Sequence, residues 1–350
     1  MSAQDDFGAV VRDKNMSAQD DFGAVVRDRN MSARIFRSLE EARGQFAASA
    51  LAIGNFDGVH IGHKTLLQET RKFAAKRGLR ASVLTFYPHP TAIVAPDRKP
   101  QLICTLGQRL RLLEAIGAEQ ICVLPFTHEV AQLSPEQFVH EILLGVLNTK
   151  AVFVGENFRF GHKQAGTPET LRNFERQGAL EAYFVRPVTY RGEVVSSSII
   201  REYLKNGKVA RAGRLLGRCF FIEGDVVAGR GVGSTQLVPT LNVRPQPEQL
   251  VPRGIYVTET TDTARGRRWQ SITNVGTSPT FGTNETMIET YLLSSFDGLT
   301  PENIRVDFRY WLRWETWFPS VADLRSQILK DVSRAKSYWR RVANHVASIY

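Results

Sequence analysis

The feature that most constrains the fold is an alternation of strand-like and helix-like segments between about residue 48 and about residue 216. Apolar runs of strand length are each followed by a longer stretch with its apolar residues on one side, as 50–53 is followed by 62–77. The pattern predicts further strands at 82–86, 121–126, 151–154 and 182–185, and further helices at 106–116, after Ser134, from Thr167 to Gly178, and at 197–205. Strands and helices in alternation form a parallel sheet with flanking helices.

The helical pattern fades after about residue 217, and short β-rich stretches follow. They lie at 220–227, 254–260, 270–274, 287–293 and 304–312. The stretch 321–346 has apolar residues at helical spacing, so it predicts a helix that packs on these strands. We therefore expect an α/β plus β fold, in which a small antiparallel β-barrel with a closing α-helix follows the sheet domain. The predicted domains are 34–212 and 213–350, with the change of character near 207–219.

Residues 1–15 and 16–30 are two copies of one block, which differ only at Lys14 and Arg29. Another Met-Ser-Ala begins at Met31, and the sequence then diverges. Two copies of this block cannot stack into a core, because repeat arrays need three or more units. We predict a disordered tail over 1–33 that arose from a duplicated or misplaced start, and we favour this over a tail that binds a partner.

The composition favours small phosphorylated ligands over nucleic acids or membranes. Lys and Arg number 45 against 35 Asp and Glu, a net charge of +10, but the basic residues are scattered, with no run beyond short mixes such as 265–268. The longest apolar runs have the length of a strand, well below the roughly 20 residues of a membrane span. Three cysteines without a C-x-x-C pair and an acidic first segment predict a cytoplasmic protein without a zinc site, disulfides or an export signal.

A glycine-containing turn follows the first predicted strand and leads two histidines into the next helix. The string GNFDGVHIGH spans Gly54 to His63, so His60 and His63 lie three positions apart at the helix N-terminus. Unpaired N–H groups and the helix dipole at such a terminus attract an anion, and histidines three apart can face it together. A turn whose histidines only cap the helix is the alternative. The full string directly after a strand favours a phosphate site.

Three further motifs lie in the first domain. FYPHP at 86–90 ends the second predicted strand, VGENFRFG at 154–161 ends a later one, and SSSIIR at 196–201 opens a helix. Each also has a plain structural interpretation as a strand exit or a helix cap, but open α/β sheets bind ligands at the carboxyl ends of their strands. With the H-x-G-H turn, and without a K-M-S-K-S-like loop, they resemble the nucleotidyltransferase superfamily. In this order they resemble the adenylyltransferase half of the bifunctional prokaryotic riboflavin kinase/FAD synthetase family.

This resemblance implies a Rossmann-like nucleotidyltransferase domain that joins AMP from ATP to FMN and releases pyrophosphate. It implies that His60 and His63 bind the triphosphate and stabilise charge on the α-phosphate during transfer. Because the FMN phosphate is already ionised at neutral pH, no general base is required, and positioning and electrostatics with Mg²⁺ supply the rate. The cofactor-binding residues implied are Asn157 for the nucleotide, Ser197 and Ser198 for the phosphates, Phe86 and His89 toward the flavin, and Gly54, Phe56, Asp57, Gly58 and Arg201.

The second domain contains a series of motifs that resembles the flavokinase domain of the same family. In order they are PTLN at 239–242, NVGTSPTF at 274–281, ETYLL at 289–293, and LRWE at 312–315 followed by Phe318. The resemblance implies phosphorylation of riboflavin by ATP, with Thr240 and Asn242 as oxygen ligands for Mg²⁺ and the ATP phosphates. It implies that Glu289 accepts the proton of the riboflavin 5′-hydroxyl, since an alcohol requires a base.

One loop departs from the usual pattern of the family. Where the family shows G-R-x-L-G-F-P-T-A-N, this chain has GSTQLVPTLN at 233–242, and Tyr291 stands where histidine is frequent. The glycine-rich segment just upstream can cover the nucleotide phosphates instead, so the remaining predicted cofactor-binding residues are Gly229, Arg230, Gly231 and Arg313. A bifunctional enzyme is the leading hypothesis. The alternatives are an FAD synthetase with an impaired kinase domain and a non-catalytic flavin-binding or RNA-binding protein, and the oligomeric state stays open.

Overall fold

The computed structural model describes residues 32–227, 240–280, 283–294 and 299–347. The chain forms two compact units that divide between Ser197 and Ser198. The duplicated segment at 1–30, together with its interpretation as a disordered tail, lies outside the described residues. Within the described residues, no helix combines the length and the apolarity required to cross a membrane.

The first unit is built on a six-stranded sheet in which every neighbouring pair is parallel. In chain order its strands are β1 (Arg34–Phe36), β2 (Ser49–Ile53), β3 (Arg80–Tyr87), β4 (Gln120–Pro125), β5 (Thr149–Gly155) and β6 (Glu181–Val185). Across the sheet the order is β1-β4-β3-β2-β5-β6. A short hairpin follows, formed by β7 (Thr189–Tyr190) and β8 (Glu193–Val194). The predicted parallel α/β architecture is confirmed.

Helices connect these strands and cover both faces of the sheet. They are α1 (Leu39–Ala42), α2 (Ile61–Arg77), α3 (Pro90–Val94), α4 (Leu106–Ala115), α5 (His128–Gln132), α6 (Pro135–Gln137) continuing into a π-helix (Phe138–Leu144), and α7 (Pro168–Arg176), with 3₁₀ turns at Pro96–Arg98 and His162–Gln164. The caps predicted at Ser134 and Thr167 are confirmed, since each side chain accepts a hydrogen bond from the backbone N–H three residues later.

The central strand β2 is buried on both of its faces. Leu51 and Ile53 pack into a core with the π-helix and α7, whereas Ala50 and Ala52 pack into a second core with α2 and α4. Successive side chains of a strand point to opposite faces, so a strand covered on both sides has an unbroken apolar sequence. This is why the segment Ser49–Ile53 shows no polar alternation.

The strand order reverses next to β2. From β2 the chain adds β3 and β4 on one side of the sheet, and it then crosses to add β5 and β6 on the other. Open α/β sheets bind ligands outside the carboxyl ends of the strands at such a reversal. The turn after β2 and the VGENFRFG motif at the end of β5 therefore lie where a ligand is expected.

The second unit contains a closed barrel of six strands in which every neighbouring pair is antiparallel. Its strands are β9 (Phe220–Val227), β10 (Thr240–Val243), β11 (Gly254–Asp262), β12 (Arg268–Thr280), β13 (Thr283–Leu292) and β14 (Asn303–Arg313), in the closed order β10-β13-β12-β11-β14-β9. Two helices precede the barrel, α8 (Ser197–Lys205) and α9 (Val209–Leu216), and α10 (Val321–Ala347) follows it. The predicted antiparallel barrel with a closing helix is confirmed.

The two faces of the barrel wall differ in chemistry. One face carries a buried set of hydroxyl groups joined by hydrogen bonds of 2.7–3.0 Å, made by Thr258, Thr260, Ser271, Thr273 and Thr290. Part of the other face is apolar, and α10 covers that part with Ala335, Tyr338 and Trp339. Because a strand alternates its faces, Ile272 of β12 stands between the hydroxyl residues Ser271 and Thr273.

Several short elements were not predicted from the sequence, and three of them complete the sheet, the barrel and the pair of helices that precede the barrel. Two are β1 and β10, which have 3 and 4 residues. The third is α9, which packs against β9 and β14, so the predicted boundary between 212 and 213 falls inside a helix of the second unit. The buried residues Val209, Ala212 and Leu216 recur at helical spacing, a signal that was present in the sequence.

Candidate active sites

The turn between β2 and α2 has a backbone that few sequences can adopt. Phe56 and Val59 have positive φ angles of 50° and 40°, and Gly58 has a φ of 81°. A Cβ atom on Gly58 would lie 3.0 Å from the side chain of Ile103. The glycine is therefore required both by the left-handed conformation and by the close approach of the neighbouring segment.

The two histidines of the turn form one unit. His60 is the N-cap of α2, and its Nδ1 accepts a hydrogen bond from the backbone N–H of His63 at 3.3 Å. Their rings stack with centroids 3.6 Å apart and planes 16° apart. A side chain at Gly62 would press on the His60 ring at 3.2 Å, so the H-x-G-H spacing has a steric cause. The predicted pairing of the histidines at a helix N-terminus is present, and it suits an anion.

Asp57 supports this turn from the interior. Its side chain is buried, and its carboxylate accepts hydrogen bonds from the backbone N–H groups of Ile103 at 3.0 Å and Cys104 at 3.2 Å. The Cys104 sulfur in turn accepts the N–H of Gly58 at 3.1 Å. These bonds attach the histidine turn to the segment before α4. Asp57, predicted to bind a cofactor, has its carboxylate engaged with the backbone.

The SSSIIR motif contacts the same turn through a hydrogen bond of Ser197. The Ser197 hydroxyl donates to the backbone carbonyl of Asp57 at 2.8 Å. Ser197 begins α8, and Ser198, which is exposed, and Arg201 follow it along that helix. A hydroxyl that was predicted from the sequence to contact phosphate thus also holds the turn in place.

The FYPHP motif divides between core and site. Phe86, predicted to lie toward the flavin, is largely buried and packs edge-on against Phe126 with centroids 5.8 Å apart. His89 caps α3 through its Nδ1, and its Nε2 lies 3.4 Å from the side-chain amide nitrogen of Asn55. This contact joins the segment after β3 to the turn after β2.

Asn157 follows β5, on the other side of the strand reversal. Its side chain is exposed, and its Oδ1 lies against Gly155, where a Cβ atom would be 3.2 Å away. The rings of Phe158 and Phe160 stack next to it with centroids 5.5 Å apart. Asn157 and the histidine pair therefore follow two adjacent parallel strands, β5 and β2.

The barrel unit aligns three polar residues across three strands. Glu289 of β13 pairs directly with Asn242 of β10 on one side and with Asn274 of β12 on the other. Directly paired residues stand on the same face, with Cβ atoms about 5 Å apart. Thr240, two residues before Asn242, shares this face and pairs with Tyr291. The predicted residues Thr240, Asn242 and Glu289 are thus brought together.

Asn274 and Glu315 belong to sequence motifs of the barrel unit, and no individual role was predicted for either residue. The Oδ1 of Asn274 is buried and has no hydrogen-bond partner among the described residues, while its side chain hydrogen-bonds the Glu315 carboxylate. Burial, with the Glu289 charge as a smaller cause, raises the pKa of Glu315, and hydrogen bonding to Asn274 opposes the rise. A Cβ atom on Gly276 would overlap the Glu315 carboxylate, so a larger residue at this position would have to displace the end of that side chain.

Arg313, predicted to bind a cofactor, forms an ion pair with an acidic residue of α10. Its guanidinium makes two contacts of 2.9 Å with the Asp331 carboxylate of α10, which is buried and also accepts from Gln327 at 3.0 Å. This ion pair fastens α10 to the end of β14.

Tyr291 packs beside the α10 cluster, and burial raises the pKa of its phenol, so it contributes as a neutral ring. The predicted residues Gly229, Arg230 and Gly231 lie outside the described residues.

These observations define a class of protein. One unit has a doubly wound sheet with a paired-histidine turn at its strand reversal, and the other is a barrel with the side-chain oxygens of Thr240 and Asn242 beside the Glu289 carboxylate. The class is a two-domain enzyme that transfers phosphorus-containing groups.

Family models match each unit separately. The FAD synthetase model matches residues 43–199, and the riboflavin kinase model matches residues 216–339. The chain belongs to the bifunctional riboflavin kinase/FMN adenylyltransferase family. The resemblance seen in the sequence motifs is therefore confirmed.

Relatives match along most of their length. The chain is 32% identical over 298 residues to the bifunctional riboflavin kinase/FMN adenylyltransferase of Bacillus subtilis, covering 93% of that protein and 84% of this chain. The protein of the same name from Escherichia coli K12 is 32% identical over 290 residues, with 92% and 83% covered. A crystal structure from Streptococcus pneumoniae, titled a macrolide-efflux protein, has a similar fold, with a TM-score of 0.77, 26% identity, and coverage of 87% of this chain and 99% of that one.

Proposed function

We propose that the barrel unit transfers the γ-phosphate of ATP to riboflavin, giving FMN, and that the sheet unit then joins FMN to AMP from a second ATP, giving FAD and pyrophosphate. The observation that carries this proposal is that the two family matches fall on different units, and that each unit presents a polar cluster suited to its reaction. FMN is the product of one reaction and the substrate of the other.

In the sheet unit, the proposed roles of His60 and His63 are to bind the triphosphate and to stabilise charge on the α-phosphate. Their stacked rings at the start of a 17-residue helix put imidazole donors and backbone N–H groups at one place. Asn157, on the neighbouring strand, is proposed to hold the nucleotide. The attacking FMN phosphate is ionised at neutral pH, so orientation and charge stabilisation carry the rate.

In the barrel unit, the proposed role of Glu289 is to accept the proton of the riboflavin 5′-hydroxyl. The carboxylate is exposed, and it stands between the amide side chains of Asn242 and Asn274 on the neighbouring strands. An exposed carboxylate can serve as the base for an alcohol in phosphoryl transfer.

The oxygen atoms beside Glu289 fit Mg²⁺. Thr240 and Asn242 offer neutral oxygens, the ligands that this hard cation accepts, and Mg²⁺ commonly takes its remaining ligands from nucleotide phosphates and water. No cluster of three or more His, Cys, Asp or Glu side chains suited to a metal occurs in the described part of the chain. Thr240 and Asn242 are accordingly the residues proposed to hold Mg²⁺, which would neutralise charge on the transferred phosphate.

A time course tests the bifunctional proposal. Purified protein is incubated with riboflavin, ATP and Mg²⁺, and the flavins are separated by chromatography. We expect FMN to appear first and then to convert to FAD. FAD formed from supplied FMN, with no product from riboflavin, would restrict the activity to the sheet unit. No product from either flavin would contradict the proposal.

The position of Glu315 predicts a dependence between two substitutions. In Gly276→Ala, the new methyl group displaces the flexible end of Glu315 while the strand backbone stays in place, so the fold is retained. We expect riboflavin phosphorylation to fall about tenfold, because a displaced carboxylate no longer supports Asn274 beside Glu289. Initial rates of FMN formation measure the effect.

The double variant is the control for this prediction. Glu315→Ala is expected to cost a similar factor, and adding Gly276→Ala to it should cost little more, since both act through one carboxylate. Fully additive losses would show that Gly276→Ala acts on the strand instead. FAD formation from supplied FMN should stay unchanged in all three variants.

A further inference from the structure

Arg109 is a charged side chain in the interior of the sheet unit. It lies on α4 and is 0% exposed, the largest side chain among those that are fully buried. Its Nη1 donates to the backbone carbonyl of Phe86 at 3.0 Å and to the Thr85 hydroxyl at 3.3 Å. Among the residues that the structure describes, its Nε and Nη2 have no hydrogen-bond partner, and no carboxylate forms an ion pair with it.

Such an arrangement is energetically unfavourable by itself. Buried charges are ordinarily paired with an opposite charge, and buried N–H groups are ordinarily bonded. A methionine of similar length would fill the same space without a charge that lacks a partner. An unpaired buried cation is therefore the kind of local cost that proteins carry at functional sites.

The contacts of Arg109 lead directly to the phosphate turn. The Thr85 hydroxyl that it contacts donates to the backbone carbonyl of Asn55 at 3.1 Å. The side chain of Asn55 in turn contacts His89, 3.4 Å from its Nε2. Arg109 thus holds the carboxyl end of β3 and, through Thr85, the first residues of the turn that carries the histidine pair.

We propose that Arg109 is a positioning residue of the adenylyltransferase site, whose buried charge favours binding of the anionic phosphates of ATP at the histidine turn. In a low-dielectric interior, a fixed cation acts on an anion beyond contact distance, and water or salt weakens it little. The nucleotide would then supply the negative charge that the described residues do not provide. This inference rests on the proposed adenylylation of FMN.

The test compares three variants of the full chain, with FMN supplied and riboflavin omitted so that only FAD formation is measured. Arg109→Met removes the charge, Arg109→Lys keeps it, and Arg111→Met removes an equal charge from the exposed side of the same helix. We expect Arg109→Met to raise the KM for ATP about tenfold or more. Arg109→Lys should stay within about threefold of the parent, and Arg111→Met should match the parent.

Melting temperature and kinase activity separate this role from a structural one. Because Arg109→Met removes an unpaired buried charge, we expect its melting temperature to equal or exceed that of the parent, with riboflavin phosphorylation unchanged. A lower melting temperature, an unchanged KM for ATP, or an Arg109→Lys variant as impaired as Arg109→Met would each overturn the inference. Failure of the parent chain to make FAD would instead refute the proposed function.

Discussion

Replacing Glu289 with glutamine is expected to lower riboflavin phosphorylation about 10²- to 10⁴-fold, the range that general base catalysis contributes. Glutamine keeps the size of the side chain between Asn242 and Asn274, but it cannot accept a proton at neutral pH. The effect should fall on kcat, since the base acts in the transition state. The measurement is the rate of FMN formation from riboflavin at saturating ATP and Mg²⁺.

Two controls accompany Glu289→Gln. Glu302→Gln removes the same charge from an exposed position just before β14, and it should phosphorylate riboflavin at the parental rate. FAD formation from supplied FMN should be unchanged in Glu289→Gln, because that reaction belongs to the other unit. Undiminished FMN formation in Glu289→Gln would remove Glu289 from the mechanism.

Replacing His63 with alanine is expected to lower FAD formation from FMN about 10²- to 10³-fold, as loss of one preorganised donor to developing charge does. His63 is the better first choice, because His60 is also the N-cap of α2. Loss of the His60 cap would destabilise the helix by about 1 kcal/mol. His60→Asn replaces the Nδ1 acceptor with an amide oxygen that can also accept the N–H of His63, so this variant isolates the contribution of the His60 ring. Pyrophosphate release in the presence of FMN and ATP measures both variants.

The matched control for the histidines is His128→Ala, at an exposed position at the start of α5. It should leave FAD formation unchanged, and riboflavin phosphorylation should be unchanged in all of the histidine variants. If His63→Ala and His60→Asn both made FAD at the parental rate, the paired histidines would be caps of the helix only. That is the alternative that the sequence analysis left open.

The alternation of strands and helices was predictable because it depends on short-range periodicity. Apolar runs of strand length mark strands such as β3, apolar residues on one side mark helices such as α2, and glycines, prolines and serines mark the ends of the segments. The placement of motifs at carboxyl ends of strands follows from the same pattern. Missed elements such as β1 and β10 are too short to show a period, and their strand partners supply the hydrogen bonds that define them.

The burial of polar residues in the barrel wall was harder to predict from the sequence. Threonine and serine in a strand predict a solvated face, yet Thr258, Ser271 and Thr273 are fully buried and satisfy one another. Burial of a hydroxyl is tolerated when a partner is present, and the partners here come from different strands. Phe86 shows the converse: its motif suggested a ligand contact, and its side chain packs largely into the sheet core.

The two domain types, the family, and the candidate residues His60, His63, Thr240, Asn242 and Glu289 could be predicted because they lie in contiguous motifs of the sequence. The fold was needed to see that Asn242, Glu289 and Asn274 stand in one row, that Glu315 lies against Gly276, and that Arg109 is buried without a counter-charge among the described residues. These features were not predictable because strand register and burial arise from contacts between residues far apart in the chain. No local pattern records those contacts.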